Sequence, residues 1–322
     1  MTTPSTQPRR RIVELATRAP SIHNTQPWLW RTSSAGLELY ADRTRQLGAA
    51  DPVGRNLTLS CGAALHHAVV AAAALGWATQ VERLPQGPSA SLLASIALTP
   101  GTPSDDAGAD LRAIDERCTD RRRFTSWPVP DSTLGDLARA AASRGTRALP
   151  LVDVTERFHA DVLVGRAAEN QAGDQRVTAE HRQWVDHSRV DGIPSAILPA
   201  ERSSMARAQN RFTTGLLQDR GRDVEGSDGL IVLCGDQDDP ANWLAAGEGM
   251  SALWLAASAQ GLSVVPLSQV VEVAETRDAL TRQVLGGLAL PFILLRIGWQ
   301  PISRSELPRT ARRPVTDVLD PP

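Results

Sequence analysis

Two arginine-rich stretches, "RCTDRRRF" and "ARRP", carry the side chains best suited to grasping an anion. The first gathers Arg117, Thr119, Arg121, Arg122 and Arg123, and the second supplies Arg312 and Arg313. Guanidinium donors match the oxygens of a phosphate and a hydroxyl adds one more, so Arg117 and Thr119 suit one phosphate group. A single charge run is usually a solvated helix end. Two such clusters in a chain of net charge −2 point instead to one phosphate-bearing ligand. A third stretch, "APSIHNTQPW" at 19–28, crowds Ser21, His23, Asn24, Thr25 and Gln26 between Pro20 and Pro27. A purely structural loop rarely needs so many short hydrogen-bonding groups.

Other chemistries are excluded. All 34 basic residues are arginine, so there is no lysine for a Schiff base or a Walker A loop. The six histidines lack metal-ligand spacing; His66 and His67 are adjacent and expected to face different ways on a helix. No G-x-S-x-G elbow is present. "GEGMSA" fits G-x-G-x-x-A at Gly247, Gly249 and Ala252, but it stands too far from the strand at Leu233 for a dinucleotide fold. Its glycines read as close helix packing. Cys61, Cys118 and Cys234 are scattered without a CxxC, as in a reduced, cytoplasmic protein. No signal peptide, membrane partner or nucleic-acid partner is expected. The apolar run 57–77 reads as a buried core helix.

The elements that must position these residues follow from periodicity. A short amphipathic helix over 11–18 stops at Pro20. "PWLWRT" and "LELYAD" alternate as a hairpin around Gly36, before the long helix that ends near Trp77. Strand-like runs at 81–84 and 92–98 precede a linker, "TPGTPSDDAGAD". The second half reads as helices at 131–144 and 154–170, an irregular polar stretch with helical pieces over 174–228, and the strand "GLIVLCG". A helix over 240–260, the strand "LSVVPL", a short helix at 276–285 and the strand "PFILLRIGW" complete it. Gly62 with Gly76 and Gly247 with Gly261 frame two alanine-rich helices at a constant offset of 185, which suggests an internal duplication.

Together these stretches resemble the nitroreductase family of flavoproteins. "APSIHNTQPW" is similar to its A-P-S-x-x-N-x-Q-P-W signature, and "RCTDR" to its R-x-S-x-R, with Thr119 in the serine's place. "GEGMSALWLAASAQGLSVVPL" is similar to its central helix and following strand, and "ARRPVTDVL" to its C-terminal R-R-P-x-x-x-V. "DPVGR" and "SCGAAL" narrow the resemblance to the Acg-like branch of actinobacteria and extend it over nearly the whole chain. The order differs from small nitroreductases, in which R-x-S-x-R comes first. Here "NTQPW" lies in the first half and "RCTDR" opens the second, where "AAASRGTRALPL" replaces an N-x-Q-P-W.

The resemblance implies an α+β nitroreductase-like fold, internally duplicated so that one chain mimics the usual homodimer. Residues 1–105 and 106–322 would be the halves, with a lid insertion at about 181–228. One composite FMN site would survive. Arg117, Thr119, Arg312 and Arg313 would hold the phosphate, with Arg121 at the N1/O2 edge of the ring. Ser21, Asn24 and Gln26 would bond along the flat ring and ribityl chain, and Pro266, Leu267 and Ser268 would offer backbone N–H groups toward N5. Two functions follow: an NAD(P)H-dependent oxidoreductase acting on a small nitro compound or quinone, or a lidded protein that stores, sequesters or senses with FMN. A monomer acting as an intrachain pseudo-dimer is expected.

Overall fold

The computed structural model describes residues 6–199, 228–300 and 309–320. Helix α1 (Thr6–Ala16) buries Ile12, Val13 and Ala16. Strands β1 (Trp28–Thr32) and β2 (Gly36–Ala41) form the expected hairpin, followed by α2 (Arg55–Ala74), β3 (Trp77–Arg83), β4 (Leu92–Pro100) and α3 (Ala107–Glu116). The second half contains α4 (Asp131–Ala142), β5 (Arg147–Pro150), α5 (Val154–Gly173), α6 (Gln175–Trp184) and β6 (Gly229–Gly235). It continues with α7 (Pro240–Ala259), β7 (Leu262–Leu267), α8 (Gln269–Glu272), α9 (Ala274–Gln283), β8 (Leu290–Trp299) and the tail helix α10 (Val315–Val318).

Two features differ from the sequence reading. Strand β5 was not expected: it is a four-residue edge strand ending in proline, too short for alternation to show. The stretch beginning at residue 174, expected to be irregular with helical pieces, opens on a full helix. Asp174 caps α6 by accepting from the N–H groups of Arg176 and Val177. The later part of the expected lid insertion, 200–227, lies outside the described residues.

Each half carries a four-stranded antiparallel sheet, ordered β1-β2-β4-β3 in the first and β5-β6-β8-β7 in the second. Matched in chain order, the two sheets have one topology. Even the irregularity in register recurs, at Leu39/Tyr40 between β2 and β4 and at Leu233/Cys234 between β6 and β8.

Helices α2 and α7 pack together between the sheets, and both are apolar almost all round, as a centrally buried helix must be. Gly62 and Gly247 make the contact possible. A Cβ on Gly62 would lie 2.2 Å from the Leu244 carbonyl oxygen, and one on Gly247 would lie 2.0 Å from that of Leu59. The glycines of "GEGMSA" thus serve helix packing, as the sequence indicates. By length and composition α2 could cross a membrane; most of it is buried inside the protein. One hydrophobic core runs from Trp28, Trp30 and Leu39 through both helices to Leu233, Ile293 and Leu295. The C-terminal tail returns to the first half: Leu319 bridges to Trp30, and the Asp320 carboxylate accepts from the Thr32 N–H and hydroxyl, each at 2.8 Å.

Candidate functional site

A cleft of about 1080 Å³, measured to its open mouth, lies where the halves and the tail meet. It is lined by Ser21 and Asn24 from the loop after α1, Asn56 and Ser60 from α2, and Met250 and Trp254 from α7. Arg117, Thr119 and Arg121 enter after α3, Pro266 and Ser268 from the end of β7, and Arg312 from the tail. Residues nearly three hundred positions apart therefore share one wall. Of the residues expected to hold FMN, Gln26, Leu267 and Arg313 do not line the cleft.

The guanidinium groups dominate its electrostatics. Arg117 is 7% exposed and stacks 4.6 Å from the centre of the Trp254 ring. Its Nη2 donates to the Arg18 carbonyl at 3.0 Å, while Nε and Nη1 are buried without a hydrogen-bond partner among the described residues. Arg312 donates through Nη2 to the same carbonyl at 3.2 Å and through Nη1 to the Thr310 hydroxyl at 2.7 Å; its Nε is likewise unpartnered. No carboxylate among the described residues pairs with either group. Burial lowers the Arg117 pKa to about 10. Burial, with Arg117 and Arg18 close by, lowers that of Arg312 to about 9. A buried and a half-buried cation side by side, with no carboxylate pairing to either among the described residues, are costly unless an anion joins them.

The loop at 20–27 is tightly wound. His23, Asn24 and Gln26 all have left-handed backbone, with φ of 46°, 55° and 50°. Such residues cost of order 1 kcal/mol or more each and persist where their surroundings hold them. Here hydrogen bonds do so. The Ser21 hydroxyl accepts from the Gln26 N–H at 3.0 Å, and the Ser60 hydroxyl accepts from the Ile22 N–H at 3.1 Å. Asn24 Nδ2 donates to the carbonyls of Gly192 and Ala311 at 2.9 and 3.1 Å. Gln26 Nε2 donates to the Val190 carbonyl at 2.8 Å, and its Oε1 accepts from the Arg313 N–H at 2.8 Å. The polar crowd of this loop thus fastens three distant segments together. Asn24 and Gln26 were expected to bond a ligand; in this structure their amide nitrogens are committed to protein carbonyls.

Residues 185–199 form a flap over the same region, with Ile193 and Ile197 in the cleft wall. Asp191 anchors the flap, accepting from Arg45, from the Ser188 hydroxyl at 2.5 Å and contacting His187 Nδ1 at 2.7 Å. The Glu180 carboxylate on α6 accepts from the N–H groups of Ala49 and Ala50.

Sequence reasoning missed Asn56, Ser60, Trp254 and Thr310. A signal existed for two of them: Asn56 and Ser60 stand four apart, on one face of an otherwise apolar helix. It also misjudged His66 and His67. Both rings place Nδ1 2.8 Å from the same hydroxyl, that of Ser251 on α7.

No family model matches the chain. A Mycobacterium tuberculosis protein provisionally named NAD(P)H nitroreductase Rv3131 is 38% identical over 320 residues, covering 98% of this chain and 92% of that one. The Mycobacterium tuberculosis protein provisionally named NAD(P)H nitroreductase Acg is 33% identical over 332 residues, covering 95% and 93%. The chain belongs to the nitroreductase family, in the branch of these mycobacterial proteins. Among solved structures, a nitroreductase with bound FMN from Bacteroides fragilis is 13% identical with a TM-score of 0.40, covering 63% of this chain and 94% of that one. The FMN-dependent nitroreductase NfnB from Mycobacterium smegmatis, in complex with NADPH, is 18% identical with a TM-score of 0.40, covering 65% and 100%. At that level of likeness the architecture rests on the strand order above.

Proposed function

We propose that the chain is an FMN-binding, NAD(P)H-dependent oxidoreductase acting on a small nitro compound or quinone. The observation that carries this reading is the pair Arg117, buried, and Arg312, half-buried, both lining a large cleft and both with buried guanidinium nitrogens that have no hydrogen-bond partner among the described residues. That donor set fits a phosphate: planar donors that no carboxylate among the described residues pairs with, joined by Thr119 in the cleft lining. Relatives and neighbours named for nitroreductase activity, some solved with FMN, make a flavin phosphate the natural choice. When bound, FMN would supply two-electron redox chemistry between NAD(P)H and the acceptor.

The residues divide into two layers in this reading. Arg117, Thr119 and Arg312 hold the phosphate, and Arg121 lies at the N1/O2 edge, where a fixed cation favours the reduced ring. Ser21 and Asn24 border the ring and ribityl chain, and the backbone at Pro266, Leu267 and Ser268 faces N5. Gln26 and Arg313 act from behind, bonded to each other, and keep the loop and tail in register.

A second reading has its own observation. Ile193 and Ile197 present apolar side chains to the cleft from a flap fastened through Asp191. A flap that stays closed would exclude nicotinamide and leave a protein that stores FMN, sequesters it or senses redox state. We further infer that the matching strand orders reflect an internal duplication, with halves 1–105 and 106–322 and one surviving composite site.

Absorption spectra taken before and after anaerobic addition of NADPH decide between the two functions. Flavin bands that bleach with NADPH support the oxidoreductase. Bands that bleach only with dithionite support the closed store. A chain that takes up no FMN overturns both.

A further inference from the structure

The flap over the cleft is bonded within itself. The Asp186 N–H donates to the Ile193 carbonyl at 3.0 Å, and the Ile193 N–H donates to the Trp184 carbonyl at 2.8 Å. The Asp186 carboxylate accepts from the Ser195 N–H at 2.8 Å. The His187 ring stacks on Trp184 with centroids 4.5 Å apart. These contacts can persist while the flap moves as one piece.

Arg45 fastens it from outside, although Arg45 does not line the cleft. Its Nε donates to the Thr25 carbonyl and its Nη2 to the Asp191 carboxylate, and its guanidinium lies 5.5 Å from the centre of the Trp184 ring. One planar group thus joins the loop at 20–27 to the flap. The hydrogen bonds of Asn24 with Gly192 and of Gln26 with Val190, which also tie loop to flap, are neutral.

The ion pair is built to open. The Arg45 side chain is 18% exposed, so water can take the place of its partner. Asp191 is not orphaned when that happens, because the Ser188 hydroxyl and His187 Nδ1 still donate to it from within the flap. Arg45 likewise keeps the Thr25 carbonyl. Breaking the pair therefore avoids the cost of a buried charge left without a partner. Burial alone would raise the Asp191 carboxyl, but donation from Ser188, His187 and Arg45 holds it below its usual range, so it is ionised at neutral pH.

We propose that Arg45 is the clasp of a gate: it holds Ile193 and Ile197 over the cleft, and its release from Asp191 lets the flap swing away to admit the nicotinamide donor. Arg45 touches neither cofactor nor substrate. The inference rests on the FMN reading above, and it makes the closed store and the working oxidoreductase two positions of one flap.

The test uses the full chain with Arg45→Gln, which removes the charge. Asp191→Asn, which keeps the flap's shape, serves if the first variant does not fold. Amide hydrogen exchange without ligand reads the clasp: exchange over 185–199 should quicken about tenfold, with β6 and β8 unchanged. Anaerobic stopped-flow reduction of the FMN-loaded chain reads the gate. NADPH, which needs the flap open, should bleach the flavin about tenfold faster than in the wild type. Dithionite, a small reductant, should change by less than about twofold. The double variant should match either single one, because both remove the same pair. Unchanged exchange over 185–199 would overturn the clasp. Quicker exchange without faster bleaching by NADPH, or equal acceleration with both reductants, would overturn the gate. A chain that takes up no FMN would remove the gate together with the FMN reading, an outcome distinct from either of these.

Discussion

Arg117 is the residue on which the proposed function is most exposed to test. Removing a charge-assisted contact costs about 1.5–3 kcal/mol, or roughly ten- to a hundredfold in affinity. Arg117→Ala should therefore leave a purified chain largely free of flavin absorbance, and full occupancy would count against the assignment. Gln26→Ala should act differently. It breaks the bonds to Val190 and Arg313 rather than a wall of the cleft. The expected result is a protein destabilised by about 1–3 kcal/mol, because the loss leaves the partly buried Val190 carbonyl and Arg313 N–H without these partners. Urea denaturation would show this as a lower midpoint. The arginines and the loop were legible in the sequence because charge and polarity mark them. Their division into front and rear layers was not, since it depends on contacts with residues 190, 192, 311 and 313.

At the scale of elements, the α2–α7 contact sets the distance between the halves. Gly247→Ala would drive a methyl group against the Leu59 carbonyl, a backbone atom that cannot swing aside. Overpacking of this kind costs about 1–3 kcal/mol, readable as a fall in the urea midpoint. Gly173→Ala, at the end of α5, meets nothing within 4 Å. It should be neutral, or stabilising by up to about 1 kcal/mol. The long central elements were readable because burial on every side leaves an unbroken apolar run: β6, β8 and both central helices lie close to where apolar and alanine-rich runs place them. Gly62 and Gly247, which the sequence relates only by a constant offset, prove to meet where the two helices touch. Strand β5 escaped because its pairing with β6, rather than its own residues, defines it. Helix α6 could be read only as an unplaced helical piece, because its packing on the first half, through Glu180 and Trp184, cannot be seen from within residues 175–184.

For the whole molecule, buried titratable groups predict a response to acid. Burial, with Arg144 nearby, holds His66 at a pKa of about 3, and His67 is also well below its usual value. Below pH 6.5 the unfolded chain takes up protons at both sites and the folded chain does not, so stability falls as pH falls. Asp51 opposes this. Burial raises its pKa to about 6, so it recovers stability as pH drops from there toward 3.8. Two histidines outweigh one carboxyl, and the net loss between pH 6.5 and 5 should be about 2 kcal/mol. Chemical denaturation at the two pH values would show it, and replacing both histidines with glutamine should abolish it. A phosphate ligand should raise the melting temperature by relieving the repulsion between Arg117 and Arg312. Light scattering should give the mass of a single chain, as expected if the two sheets already supply both partners of a family dimer.

Trp254 has one more consequence. An indole that lines the cleft and lies against Arg117 sits within a few ångströms of whatever the cleft holds. Indole emission overlaps flavin absorption, so energy should pass from this side chain to a bound isoalloxazine and darken the protein's own fluorescence. The chain would then report its occupancy without a label, and Trp254→Phe would separate that signal from the light of the other seven tryptophans.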